Sequence, residues 1–164
     1  MIRDKEVLDH IVQTVRQFVN NQLIPKEDWV AENDRLPEEI ISQMRELGLF
    51  GLTIPEEYGG LGVTMEEEVT LAFELGRTSP AFRSLIGTNN GIGSSGLVID
   101  GTEEQKRKYL PRLASGEIIG SFCLTEPESG SDAASLRTTA IKDGDNYVLC
   151  LLYTSDAADD GESV

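Results

Sequence analysis

Up to about residue 116 the apolar residues of this chain recur at helical spacing, and beyond it they do not. That change of period limits the fold more than any single motif, because helices followed by strands give an α+β or two-domain pattern and not an alternating βαβ one. Val7, Leu8, Ile11, Val12, Val15, Phe18, Val19 and Leu23 make one stripe of an amphipathic helix over residues 4–24, which Pro25 is expected to stop. His10 falls off the stripe and reads as a solvated surface residue, while Trp29, in a polar connector, reads as a packing residue. A second helix is expected from Pro37 to Leu47, with Pro in its first turn and Gly48 just past its end. LFGLTIPEEYGGLGV then reads as an ordered loop, followed by helical periodicity from Met65 to Leu75. Thr102 with Gln105 spells a capping box that opens the helix TEEQKRKYLPRL. After Gly116, IIGSFCLTE reads as a strand, and LRTTAIKDGDNYVL as two strands around an Asp-Gly turn.

One motif points elsewhere. GIGSSG, residues 91–96, has the spacing G-x-G-x-x-G of a dinucleotide-binding turn. That turn works only when a buried strand delivers the first glycine and a helix N-terminus then faces the pyrophosphate. RSLIGTNN, which precedes it, is too polar and too poor in β-branched residues for a central parallel strand. A Rossmann enzyme is therefore disfavoured. The segment Ala81–Ile99 stays ambiguous, since each of its four glycines costs a helix about 1 kcal/mol relative to alanine.

Charge and cysteine content narrow the partners. Twenty-nine acids against fourteen bases give a net charge of −15, which argues against nucleic acid and anionic membrane. Cys123 and Cys150 lie far apart, and neither is near the single histidine, so a disulfide framework or zinc site is not expected. With no apolar run of about 20 residues and no signal-peptide pattern, the chain reads as soluble and cytoplasmic.

The chemistry concentrates in FCLTEPESGSDAASL, residues 122–136. Thr125 offers a hydroxyl and an N–H where the strand ends, Pro127 breaks pairing, and Gly130-Ser131 offer backbone donors and a hydroxyl in a tight turn. Converging N–H groups in such a turn suit a phosphate; the competing reading is an ordinary strand-ending loop capped by Asp132.

LTEPESGSD, the preceding EEQKRKYLPRLASGE and IPEEYGGLG at 54–62 together resemble the acyl-CoA dehydrogenases, over about residues 3–149. The resemblance implies an all-helical N-terminal domain of orthogonal helices over 1–116, then the first strands of the middle β-barrel domain over 117–149. It also implies that 81–99 is a helix lining the acyl pocket, its glycines making room for substrate. FAD is the implied cofactor: Phe122, Cys123, Leu124 and Thr125 along the flavin ring, with Thr125 on its pyrimidine edge, and Gly130 and Ser131 at the pyrophosphate. Ser131 would also approach the acyl-CoA substrate. Phe82-Arg83-Ser84 resembles the position where the glutaryl-CoA branch holds a distal carboxylate, a contact suited to a guanidinium; an ion-pair role for Arg83 is the alternative. In the family a carboxylate removes the α-proton, the β-hydrogen leaves as hydride to the flavin, and an electron-transfer flavoprotein takes the electrons. Oligomerisation of the full-length protein is implied as well.

Two departures bear on activity. Where the family continues with a flavin-covering strand, this chain reads CLLYTSDAADDGESV, and the C-terminal helical domain that normally supplies the base does not follow. No catalytic residue is assigned here. Residues 150–164 are expected to be a non-native tail, disordered over 154–164, because SDAADDGE is too poor in apolar residues to offset its ordering entropy. The expected function is that of an incomplete acyl-CoA dehydrogenase, with a non-catalytic helical interaction module as the alternative.

Overall fold

The computed structural model describes residues 5–150, which form two compact units, one ending at Ser121 and one beginning at Phe122. The first is helical: α1 (Lys5–Phe18), α2 (Glu27–Asn33), α3 (Glu38–Glu46), α4 (Met65–Leu75), α5 (Pro80–Asn90), α6 (Ser95–Asp100) and α7 (Glu103–Ala114). The second carries one antiparallel pair, β1 (Thr139–Asp143) and β2 (Asn146–Cys150), in the register Thr139 to Cys150 and Asp143 to Asn146. Gly144 and Asp145 make the two-residue turn, with Gly144 at φ 59° in the first central position, as a type II′ turn requires. Helices followed by two antiparallel strands give the α+β class that the change of period implies. The boundary expected at 116 and 117 falls beside the division after Ser121. Cys150, the first residue of the expected tail, closes β2; residues 151–164 lie outside the described residues.

Helix periodicity becomes a core. Val15, Phe18, Val19 and Leu23 of the first stripe join Ile40, Met44, Leu71, Leu75, Phe82 and Ile86 in one buried cluster, each side chain worth about 1.5–3 kcal/mol of burial. A second cluster joins Ile54 and Tyr58 of the glycine-rich loop to Leu110, Leu113 and Ala114 of α7. The loop doubles back so closely that a Cβ on Gly60 would lie 2.0 Å from the Ile54 carbonyl oxygen, so only glycine fits.

Three expectations change. Pro25 does not stop the chain's helical course: after α1 comes a π-turn over Val19–Leu23, then a 3₁₀ turn over Ile24–Lys26 that accepts proline near its start, then α2. Trp29 therefore lies on a helix, half-buried against the core, with the Arg35 guanidinium 5.6 Å from its ring centroid. Residues 81–99 are two helices and not one, because the chain turns through Gly91–Ser94, where Gly91 adopts φ −115°, ψ −114°. That turn also rules out the nucleotide reading of GIGSSG, since a helix and not a strand delivers Gly91. Among the described residues no helix is long and apolar enough to cross a membrane.

A buried acid fastens the first helix. Glu74 of α4 accepts from Arg16 of α1 (Nη2, 2.6 Å) and Arg77 (Nη1, 3.0 Å), and the Arg16 hydrogen bond, followed by that of Arg77, holds its carboxyl below the ordinary glutamate value. A depressed carboxylate contributes stability above its unfolded pKa and loses it as pH falls through the folded value. Glu74→Gln is therefore expected to lower Tm by about 2–4 °C at pH 7 and by less at pH 3, read by thermal melts at both values.

Candidate functional site

Two buried asparagines end α5 and tie it to four other segments. Asn90 donates to the carbonyls of Leu49 (2.6 Å) and Ile86 (3.0 Å), while Thr53 donates from its hydroxyl to the Asn90 carbonyl. Asn89 donates to the carbonyls of Leu113 and Ile118, both at 2.9 Å, and accepts from the Gly120 N–H at 2.7 Å. Each bond is worth about 0.5–1.5 kcal/mol net, and losing the amide leaves buried groups unpaired at further cost. Gly93 and Gly120 meet backbone to backbone beside it, a Cβ on Gly120 lying 3.1 Å from the Gly93 Cα. Residues 118–120 are thus bound to the helical unit. The strand expected over IIGSFCLTE does not form, and 118–125 carries no ladder pairing among the described residues.

The glycines of 81–99 differ from one another in what surrounds them. Gly93 serves that backbone contact, while Gly87 borders a cleft between α4 and α5 together with Leu52, Glu68, Ala72, Leu75, Arg83, Ile86 and Asn90. Arg83 is exposed, runs back over Gly87, and forms no ion pair among the described residues. Ser84 is exposed on the same helix and does not line the cleft.

In the second unit, Phe122 and Leu124 are 50 % and 38 % exposed, an apolar pair held out to solvent beside an exposed Cys123 and Thr125. Gly130 and Ser131 flank the same loop, and Ser131 is exposed too. The N–H groups of Thr125, Gly130 and Ser131, and the hydroxyls of Thr125 and Ser131, donate to nothing among the described residues. Between them the chain is tightly ordered: Glu126 and Ser129 exchange backbone hydrogen bonds of 2.9 and 3.1 Å, and the Ser129 hydroxyl donates to the Asp132 carbonyl at 2.5 Å. An exposed apolar pair beside several unclaimed donors suits a ligand that is flat at one end and anionic at the other. The residues present fit FAD on that ground.

The profile of the acyl-CoA dehydrogenase N-terminal domain matches residues 5–117. This chain belongs to the acyl-CoA dehydrogenase family. It is 41% identical over 135 residues to an acyl-CoA dehydrogenase of Bacillus subtilis, covering 82% of this chain and 36% of that one. It is 41% identical over 145 residues to the (2S)-methylsuccinyl-CoA dehydrogenase of Cereibacter sphaeroides, covering 88% and 26%. Among solved structures it resembles a glutaryl-CoA dehydrogenase from Mycobacterium smegmatis in complex with FADH2, with TM-score 0.77, 37% identity and coverage of 89% and 37%. The chain thus spans about a third or less of its curated acyl-CoA dehydrogenase relatives.

Sequence reasoning missed Glu126 and Asn89. Glu126 carried no signal beyond being an acid before Pro127, because its partners lie eleven and twelve residues on. The Asn89-Asn90 pair ending an apolar helix was visible, and polar residues at a helix C-terminus invite capping bonds, but three of their four acceptors, on Leu49, Leu113 and Ile118, lie outside α5.

Proposed function

We propose that this chain is the N-terminal and flavin-facing part of an FAD-dependent acyl-CoA dehydrogenase that converts an acyl-CoA thioester to the enoyl-CoA. The observation that carries the reading is the pairing of exposed Phe122 and Leu124 with the unclaimed donors of Thr125, Gly130 and Ser131. Phe122 to Thr125 would lie along the flavin ring, and Gly130 and Ser131 would hold the pyrophosphate with neutral donors, so no lysine is needed. FAD, when bound, supplies the hydride acceptor. What the protein would add is placement of the thioester, with Ser131 contacting both ligands. Electrons would pass to an electron-transfer flavoprotein, and the full-length enzyme would be a cytoplasmic homo-oligomer.

Arg83, with Ser84 beside it, is proposed to set substrate choice. It borders the α4–α5 cleft with its guanidinium uncommitted, and a distal carboxylate is what a planar, five-donor group holds best. The names of the methylsuccinyl-CoA and glutaryl-CoA relatives denote substrates with such a carboxylate. The test joins residues 1–149 to the remaining domains of the Bacillus subtilis relative. In that joined protein Arg83→Ala is expected to leave FAD content unchanged and to lower kcat/KM for glutaryl-CoA about 100-fold relative to butyryl-CoA, the scale of one lost charge-assisted pair. Parallel loss on both thioesters would remove Arg83 from substrate selection.

A further inference from the structure

Glu126 is buried to 5 % exposure in a segment whose neighbours face solvent, and its carboxylate is fully engaged. Oε2 accepts from the Arg137 N–H at 2.8 Å; Oε1 accepts from the Thr138 N–H at 2.7 Å and the Thr138 hydroxyl at 2.6 Å. We propose that Glu126 is a positioning residue, a latch that ties the 125–131 loop to the start of the β1–β2 hairpin and so fixes the donors that receive the flavin. The inference rests on the flavin reading above.

Three observations converge on it. The carboxylate receives three donors, and a carboxylate is the side chain that accepts without offering an N–H that would oppose one of them. The same residue fixes the loop through its backbone, exchanging hydrogen bonds with Ser129. Thr125 precedes Glu126 directly, and Gly130 and Ser131 follow Ser129 directly, so the unclaimed donors flank a frame closed by Glu126 at main chain and side chain alike. The bonds from Thr138 and then Arg137 hold the carboxyl below the ordinary glutamate value, so the latch stays ionised at neutral pH. Arg137 is committed on its outer side to Glu128, at 2.8 Å, which leaves its backbone N–H as the group facing Glu126. A site built on an exposed loop needs such support, because a loosely held loop does not present its donors in one geometry.

The test uses the joined protein, isotope-labelled over residues 1–149, with amide exchange and FAD titration both followed by NMR. In Glu126→Gln the new amide N–H opposes a backbone donor, so exchange at Arg137 and Thr138 is expected to quicken at least tenfold while the α7 amides keep the parent's rates. The FAD-induced shifts of Gly130 and Ser131 should then require at least tenfold more FAD. Thr138→Val removes one donor and keeps the carboxylate, and is expected to fall between parent and Glu126→Gln in both readouts. Unchanged FAD affinity at Gly130 and Ser131 in Glu126→Gln, alongside quickened exchange at 137 and 138, would overturn the positioning role alone. Absence of any FAD-induced shift in the parent would overturn the flavin reading beneath it.

Discussion

Ser131→Asp is expected to weaken FAD binding about 100-fold in the joined protein. The change places a carboxylate where the pyrophosphate is proposed to sit. Two unit charges about 4 Å apart at an effective dielectric of about 20 repel by about 4 kcal/mol, or roughly a thousandfold in Kd. Ser131 is exposed in this chain, so screening by solvent and salt takes back about a tenfold share. Fluorescence titration of FAD into the apo-protein reads the effect. Lower salt should widen the gap between variant and parent, as direct charge repulsion requires. FAD affinity equal to the parent's would remove Ser131 from the cofactor site.

The 164-residue chain alone is expected to dehydrogenate no acyl-CoA, even with excess FAD. Turnover requires the α-proton and the β-hydride to leave in one fixed geometry, so base, thioester and flavin must be held together. The chain spans 36% of its Bacillus subtilis relative, and no catalytic residue is assigned within it. Positioning accounts for about 7–11 kcal/mol of the barrier in well-oriented reactions, and a general base for about 10²–10⁴ in rate. The β1–β2 hairpin adds a second difficulty, since Ile141, Tyr147, Val148 and Leu149 are all more than half exposed, and a two-stranded ribbon with no third strand among the described residues is marginal in water. Anaerobic mixing of the chain, FAD and straight-chain, branched and glutaryl thioesters should leave the oxidised flavin band intact.

Local signals carried much of the helical unit. Thr102 and Gln105 form the expected capping box, with the Gln105 N–H on the Thr102 hydroxyl at 3.2 Å and the Thr102 N–H on Gln105 Oε1 at 2.8 Å. Pro37 caps α3, Gly48 follows it at φ 69°, and the Asp-Gly signal lies at the hairpin turn. An equivalent box at Thr64 and Glu67 was equally legible and went unread. What local reasoning could not supply was context. A proline stops a helix only where it removes a needed bond, and Pro25 sits where a new turn begins. IIGSFCLTE has strand composition, but a strand needs a neighbour, and here Asn89 takes the Gly120 N–H and the Ile118 carbonyl instead. The candidate site divides the same way: its donors are written in LTEPESGSD, while the latch that holds them comes from Arg137 and Thr138.

The central claim is that these residues hold a flavin against an acyl thioester. Purify the joined protein, measure its FAD content, and add butyryl-CoA and glutaryl-CoA under anaerobic conditions. The expected result is near-stoichiometric FAD, loss of the oxidised flavin band on adding thioester, and enoyl-CoA formed in proportion. A folded joined protein that retains no FAD, or one whose bound FAD is bleached by neither thioester, would contradict it.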